Sequence, residues 1–280
     1  MATLPALFVS HGSPMIALEP REAGAFLTRL GPAIDASFGR PRAIVVVSAH
    51  TAAREPVLLA GARHEAVHDF GNFDPRLFEM RYDAPGAPEL ASRVATLVQA
   101  AALPVHVVDA AGLDHGIWTA LRYVYPQADV PVLPLAFVPT QSPAQQFALG
   151  EALAPLRADG VLVLGSGSIT HNLRRVFAGG LRGDAGAAEI AESAAFRDWM
   201  RTRAAAGDWD TLFDYRRHAP HAVDMHPTDE HLLPWYVAAG AGGRDGPAIR
   251  LHDSVTHGCL GMDAYAFGEG AEALERTLRS

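Results

Sequence analysis

The chain has 280 residues, of which 49% are hydrophobic, and its formal net charge is −8 at pH 7. This composition supports a sizeable buried core, while the acidic balance and the lack of Lys/Arg runs argue against nucleic-acid and anionic-membrane partners. The single cysteine excludes an internal disulfide framework. The N-terminus shows neither an export signal nor a membrane-spanning stretch, so we expect a soluble, cytoplasmic protein.

Three apolar runs predict strands that are buried on both faces of a parallel sheet. Each run leads into a histidine, directly or through a turn rich in Gly and Ser. Because ligands collect beyond the carboxyl ends of such strands, these histidines are expected to meet at one edge of one sheet, as in a metal site. In chain order the pairs are residues 4–10 with His11, residues 41–51 with His50, and residues 160–165 with His171.

Between and after these runs, helical and strand patterns alternate, which implies βαβ units. We therefore expect an α/β fold in which a largely parallel or mixed sheet is flanked by helices. The Gly31-Pro32 pair is expected to end the first helix. No repeat or linker is visible, so residues 1–280 are predicted to form a single domain. Helices are predicted at residues 19–30, 89–102, 119–124, 142–156, 189–206, 209–215 and from 232 onward; further strands at 56–61, 104–108, 130–138 and as a pair after 248.

Two aperiodic segments, residues 68–74 and 218–231, lie outside this pattern. The first is rich in aromatic and turn residues, and the second contains four histidines. Long aperiodic loops in a compact domain are often functional. We expect residues 69–73 and 221–227 to overhang the metal and to shape the substrate pocket.

Several other features have simpler interpretations. The Ser/Gly-rich turn before His171 is a weak dinucleotide-binding signal, because Thr170 stands where the third glycine belongs. Gly12-Ser13 lacks the flanking pattern of a serine-hydrolase elbow. By default, loop carboxylates are taken as solvated and large aromatic residues as core. These are Asp69, Asp74, Glu79 and Asp83, and Trp118, Trp235 and Tyr236.

Six motifs, in order and covering most of the chain, carry a family resemblance. They are SHGSP, VVVSAH, HDFGNF followed by RYDAPG, GLDHGIW, SGSITHNL and PTDEHLLP. With them the chain resembles the class III extradiol dioxygenases, specifically the DOPA-dioxygenase-like branch of the LigB superfamily. The resemblance implies a single α/β domain that holds non-haem Fe(II), or zinc in some isolated members, and cleaves a catechol ring beside its two hydroxyls with O2.

The resemblance also implies a set of metal ligands. His11 and His50 match the two ligand histidines of the family, and His231 matches the third. The protocatechuate branch has a glutamate as third ligand, and here Glu230 stands one residue earlier. Since adjacent residues at a helix start point about 100° apart, only one can face the metal, and the motif register favours His231.

Two more histidines match residues beside the substrate. His171 corresponds to the acid/base histidine of the family, and His115 to a second histidine near the bound substrate and dioxygen. We expect His171 to titrate near neutral pH and to move the phenol proton. His171 as a fourth metal ligand is the alternative. The role of His226 is left open.

The expected activity is therefore extradiol cleavage of a catechol, with Fe(II) needed for activity and Zn(II) possible as isolated. The alternatives are a zinc-dependent hydrolase or lyase that uses the same histidines, and a non-catalytic metal-binding protein. The expected partners are a catechol-type small molecule and O2, with no nucleic acid and no membrane. We expect a monomer or a small homo-oligomer.

Overall fold

In the computed structural model, which describes residues 2–177 and 185–280, a central β-sheet lies between two layers of helices. The strands are β1 (Ala6–Ser10), β2 (Ala43–Ser48), β3 (Val57–Leu59), β4 (Arg63–His64), β5 (Ala84–Pro85), β6 (His106–Val108), β7 (Val132–Ala136), β8 (Val161–Gly167), β9 (Ala248–His252), β10 (Val255–Thr256), β11 (Leu260–Gly261) and β12 (Ala264–Phe267). The α-helices are α1 (Arg21–Phe38), α2 (Pro88–Ala100), α3 (His115–Val124), α4 (Pro143–Leu153), α5 (Leu173–Phe177), α6 (Ala191–Ala205), α7 (Trp209–Phe213), α8 (Tyr215–His218), α9 (Ala222–Met225), α10 (Leu233–Gly242) and α11 (Ala271–Arg279). Short 3-10 helices span Pro14–Ala17, Pro75–Glu79 and Ala154–Arg157.

The central sheet has eight strands in the order β6-β3-β7-β2-β8-β1-β12-β9. Strands β7, β2, β8 and β1 pair in parallel, whereas β12 and β9 add antiparallel strands at one side and β3 runs antiparallel to β7 at the other. The predicted α/β class with a mixed, centrally parallel sheet is confirmed. Because β1, β2 and β8 are parallel neighbours, the segments that follow them emerge at one edge.

The sheet separates two hydrophobic cores, one against α2, α4, α6 and α10 and the other against α1, α3 and α11. Every residue of β1, β2 and β8 is buried, as their unbroken apolar runs predicted. Trp118, Trp235 and Tyr236 are core residues, as expected. Among the described residues, no helix combines the length and the apolar character that crossing a membrane requires.

Two glycines of β8 let the segment before α10 and its first turn approach the sheet closely. A β-carbon at Gly165 would lie 2.2 Å from the carbonyl oxygen of Pro234, and one at Gly167 would lie 2.1 Å from that of His231. Any larger residue would push this backbone outward. The small residues of β8 therefore hold His231 against the carboxyl end of the central strand. Pro234 lies in the first turn of α10, where proline is tolerated.

The first helix continues beyond the predicted stop. Helix α1 runs through Pro32 to Phe38, and it buries Ala33, Ile34 and Phe38 against the sheet. A proline inside a helix costs about 3 kcal/mol, but burying large apolar side chains contributes about 1.5–3 kcal/mol each. The prediction of a helix end at Gly31-Pro32 is wrong because tertiary packing outweighs the local cost.

Other boundaries also differ from the prediction. Helix α3 begins at His115 rather than at residue 119, because the Asp114 side chain accepts a hydrogen bond from the backbone of Ile117 and caps the helix earlier. The segment 218–231, predicted to be aperiodic, includes the short helix α9. A final helix, α11, follows the last strand, where no element was predicted.

Candidate metal centre

Three histidines meet at the carboxyl edge of the sheet. His11 directly follows β1, His50 lies two residues after β2, and His231 lies two residues before α10. The Nε2 atom of His50 is 3.1 Å from Nε2 of His11 and 3.3 Å from Nε2 of His231. A ligand nitrogen from each of the three lies within 4.8 Å of the other two. The predicted convergence of these residues is therefore present in the fold.

These separations fit a single metal ion. With metal–nitrogen bonds of about 2.1 Å, two ligands at octahedral or tetrahedral positions lie about 3.0–3.4 Å apart. The two measured nitrogen–nitrogen distances fall in that range. All three donors are imidazoles, which suit both Fe(II) and Zn(II). The donor set thus accommodates either metal.

Hydrogen bonds on the far side of two rings orient their lone pairs. The hydroxyl of Ser166 donates to the carbonyl of Gly116, so it accepts from Nδ1–H of His11 at 3.0 Å. The Glu230 carboxylate can only accept, and it lies 3.0 Å from Nδ1 of His231. Both rings therefore carry their proton on Nδ1. Their Nε2 lone pairs therefore point toward the shared centre, because a hydrogen bond at Nδ1 orients the ring of a metal-binding histidine in this way.

Burial and neighbouring histidines keep two of the three histidines neutral. Burial, with the adjacent His50 and other histidines, lowers the pKa of His11 well below its usual value. Burial and the nearby His115 and His231 lower the pKa of His50 to about 3. Because imidazole binds metal only in its neutral form, these shifts leave both residues ready to ligate at neutral pH.

The backbone that carries His50 is held by a buried carboxylate. The Ser48 hydroxyl donates to Asp114 at 2.7 Å and accepts from the backbone N–H of His50 at 3.3 Å. The hydroxyl of Thr51 donates to the other oxygen of Asp114. Burial raises the pKa of Asp114 despite these hydroxyl donors. Asp114 therefore joins the end of β2 to the start of α3.

His115 lies next to the three-histidine cluster, with its ring centre 4.0 Å from that of His50. The Asp69 carboxylate accepts from the His115 backbone N–H at 2.9 Å and faces its Nδ1 at 3.0 Å. Burial by itself would raise the pKa of Asp69, but the hydrogen bonds and charge of His115 outweigh burial and lower it. Asp69, His50 and His115 form a second group with ligand-like spacing.

His171 lies on the other side of the cluster. Its ring stacks on that of His231 at 3.5 Å between centres and 7° between planes, and its backbone N–H donates to the carbonyl of Met225. Burial and the nearby His231 lower the pKa of His171 to about 2, below the near-neutral value expected. The difference follows from desolvation, which the sequence does not show. His171 is thus neutral at pH 7, and in these surroundings it is a weak base.

The two predicted loops differ in their relation to the site. The Phe70 ring lies 5.7 Å from that of His115, and Phe73 packs edge-on against Phe70, so residues 69–73 border the cluster as predicted. In the segment 221–227, the His226 ring is fully buried against Phe196. Its Nε2 faces the carbonyl of Ile169 at 2.9 Å. His226 is therefore a core residue, whereas Val223, Asp224 and Pro227 of the same segment line a cavity. That residues 221–227 overhang the metal stays a prediction.

A cavity of about 520 Å³ is bordered by the segment that follows His171 and by residues of and around α9. Its lining includes Asn172, the next residue, and three charged side chains. Two of these pair with each other, since Arg175 binds Asp224. In the part of the chain that the structure describes, the third, Arg174, has no carboxylate within ion-pair distance. Among the described residues, Arg174 is thus a cation of this cavity without an ion-pair partner.

Sequence reasoning missed four polar residues that orient the histidines. Asp69 is an exposed loop carboxylate, as predicted, but it also accepts hydrogen bonds from His115, which the sequence does not indicate. The sequence places Ser166 in a weak dinucleotide motif and Glu230 beside His231 as a competing ligand. It gives no separate signal for Asp114. A carboxylate beside a histidine in the sequence is a usable signal for Glu230. The contact between Asp69 and His115 spans 46 residues and has no such signal.

Comparison with known proteins gives a consistent picture. Residues 5–268 match the family model described as the catalytic LigB subunit of aromatic ring-opening dioxygenase. Proteins named 4,5-DOPA dioxygenase extradiol are similar: that of Beta vulgaris is 36% identical over 262 residues, covering 93% of this chain and 95% of the relative. That of Escherichia coli (strain K12) is 35% identical over 269 residues, covering 95% of each. The crystal structure of an uncharacterised Escherichia coli K12 protein matches with a TM-score of 0.74 at 28% identity, covering 95% of this chain and all of the other.

Proposed function

This chain belongs to the LigB family and is an extradiol ring-cleaving dioxygenase, and we propose that it opens a DOPA-like catechol with O2 at an Fe(II) ion held by His11, His50 and His231. The observation that carries this proposal is the approach of three Nε2 atoms at metal-ligand spacing. Three protein ligands leave coordination positions open for small molecules, as in catalytic rather than structural sites.

The bound metal would supply the centre at which catechol oxygens and O2 are brought together and activated. Three neutral imidazoles leave the 2+ charge of such an ion uncompensated, which favours an anionic catecholate over a neutral ligand. A carboxylate in place of His231 would reduce this positive charge by one. Because Glu230 points to Nδ1 of His231, it orients the ring and stays outside the ligand set.

Two further histidines complete the proposed site. His171, neutral and adjacent to His231, accepts a proton from the catechol hydroxyl and returns it later in the reaction. Negative charge on a bound catecholate would raise its low pKa and so assist this transfer. His115, beside His50, hydrogen-bonds the reacting oxygens.

The catechol is proposed to carry a carboxylate, as DOPA does. Arg174 lines a cavity together with Asn172, the residue after His171, and no described carboxylate pairs with it. A guanidinium binds a carboxylate through paired hydrogen bonds. The substrate side chain would then lie along this cavity while its ring faces the histidines.

Replacing Arg174 by glutamine should raise KM for carboxylate-bearing catechols about 3- to 10-fold and leave kcat nearly unchanged. The size follows from losing one partly exposed charged contact of roughly 1 kcal/mol. Steady-state kinetics with DOPA and with uncharged 4-methylcatechol measure the effect. Arg276→Gln on α11, where Arg276 pairs with Glu272, is the matched control. An equal rise in KM for both substrates would show that Arg174 does not recognise the substrate carboxylate.

The function itself is tested with metal-free enzyme loaded anaerobically with Fe(II) or Zn(II) and then given a catechol and O2. We expect a yellow ring-opened product and matching O2 consumption only with Fe(II). Ester or amide hydrolysis with Zn(II), without O2 uptake on any catechol, would support the hydrolase alternative instead. Metal binding with no turnover of either kind would indicate a metal-binding protein.

A further inference from the structure

One carboxylate of the aromatic loop reaches the first turn of α3. The base of this loop is fixed by the backbone, because Val67 N–H donates to the carbonyl of Leu113 and the Trp118 indole donates to the carbonyl of Val67. Asp69 lies two residues beyond this base, with its side chain 25% exposed. Its position between the fixed base and the aromatic tip makes it the point at which the loop contacts the histidine cluster.

Asp69 accepts a hydrogen bond from a backbone N–H group that has no acceptor within α3. His115 is the first residue of α3, so its N–H has no partner within the helix. The Asp69 carboxylate accepts this N–H at 2.9 Å, and the helix dipole favours a negative charge there. Asp114 serves the same turn from the other side through the N–H of Ile117. The two carboxylates thus have separate partners.

The same oxygen of Asp69 also faces Nδ1 of His115 at 3.0 Å. A carboxylate only accepts, so Nδ1 carries the proton and Nε2 is the nitrogen with the free lone pair. Two bonds from one oxygen, one to the backbone and one to the ring, fix both the position and the rotation of this side chain. The Phe70 ring meets the His115 ring at 90° and restricts it further.

We propose that Asp69 is a positioning residue for the ring-opening reaction, which holds His115 in one tautomer and one orientation beside the metal ligands and ties the aromatic loop to α3. The proposal rests on the proposed function for its catalytic consequence. Its structural part, the protonation of Nδ1 and the tether of the loop, stands without that function. Oδ2 of Asp69 lies 4.0 Å from Nδ1 of His50, beyond hydrogen-bond distance, so Asp69 acts through His115.

The test compares Asp69→Ala with Asp69→Asn, which keeps an acceptor oxygen but lacks the charge. With Fe(II)-loaded enzyme and 4-methylcatechol, kcat should fall about 10- to 100-fold in Asp69→Ala, the usual worth of a residue that orients a site histidine. Asp69→Asn should recover most of this loss. Asp74→Asn is the control, because Asp74 lies in the same loop and pairs with Arg76. It should stay within about 3-fold of wild type.

A double-mutant cycle with His115→Ala separates positioning from a general structural role. If Asp69 acts through His115, adding Asp69→Ala to His115→Ala lowers kcat no further. Multiplied losses would overturn the proposal. Loss of bound metal in Asp69→Ala would also overturn it, since Asp69 would then belong to the ligand group that it forms with His50 and His115.

A measurement that needs no turnover separates the structural role of Asp69 from the proposed enzyme function. In ¹H–¹⁵N spectra of the metal-free protein, the His115 ring should show a protonated Nδ1 that becomes a mixture of tautomers in Asp69→Ala. An unchanged ring signal would refute the positioning role. If the wild-type enzyme opens no catechol while this signal changes as expected, the proposed function fails and the inference about Asp69 holds.

Discussion

Alanine in place of His11, His50 or His231 should abolish stoichiometric metal binding, and ring cleavage with it. Each residue supplies one of three Nε2 atoms, and that of His50 lies 3.1 Å from that of His11 and 3.3 Å from that of His231. The two histidines that remain after a substitution should bind a divalent ion poorly. Removing a residue that only hydrogen-bonds to a ligand lowers metal affinity about 10- to 100-fold. Removing a ligand itself should therefore lower the metal affinity by more than about 100-fold. Elemental analysis of dialysed, iron-loaded protein measures it.

The fold should persist in these variants, because His11 and His50 lie beyond strand ends, His231 lies before α10, and none of the three belongs to the hydrophobic cores. The free energy of unfolding of the metal-free protein should change by no more than about 1–2 kcal/mol. His106→Ala is the matched control, since this exposed histidine pairs with Glu55 on an edge strand. Full metal retention in His231→Ala would move the third ligand to Glu230. His226 is not an alternative, because its ring is enclosed in the core.

Alanine in place of His171 should preserve the metal and catechol binding while kcat falls by about two to four orders of magnitude, the usual worth of a positioned acid/base group. The stacking geometry supports this separation. A ligand directs its lone pair in the plane of its own ring toward the metal. The rings of His171 and His231 are parallel within 7° and 3.5 Å apart between centres, so their in-plane lone pairs do not converge on one point. We therefore expect His171 to stay outside the ligand set, although one of its nitrogens lies within 4.8 Å of ligand atoms of Glu230 and His231.

His171→Phe serves as the companion variant, because it keeps a stacked aromatic ring on His231 and removes proton transfer. Both variants should bind iron and show a catechol-dependent absorption change, and neither should turn over at more than about 1% of wild type. Metal loss in both would make His171 a fourth ligand. A near-normal kcat in His171→Phe would show that His171 contributes ring stacking and no proton transfer.

The sequence by itself determined the strands that position the site. Unbroken apolar runs in β1, β2 and β8 specify burial on both faces, and burial on both faces requires a sheet covered by helices. Because His11 and His50 follow such strands, their meeting at one edge could be predicted from local pattern alone. His231 follows no strand, and its assignment came from a motif resemblance; its approach to the other two is visible only once α10 packs on Gly165 and Gly167.

Only the tertiary structure decided the parts that depend on distant contacts. Helix α1 passes through Pro32 because its C-terminal half is buried, and the pKa of His171 is low because its surroundings exclude water. The pairing of Asp69 with His115 arises when a loop folds over a helix start. The local sequence pattern predicts which residues are buried. A hydrogen bond or a pKa shift depends on which groups the fold brings together from distant parts of the chain. Residues near one another in sequence do not contain that information.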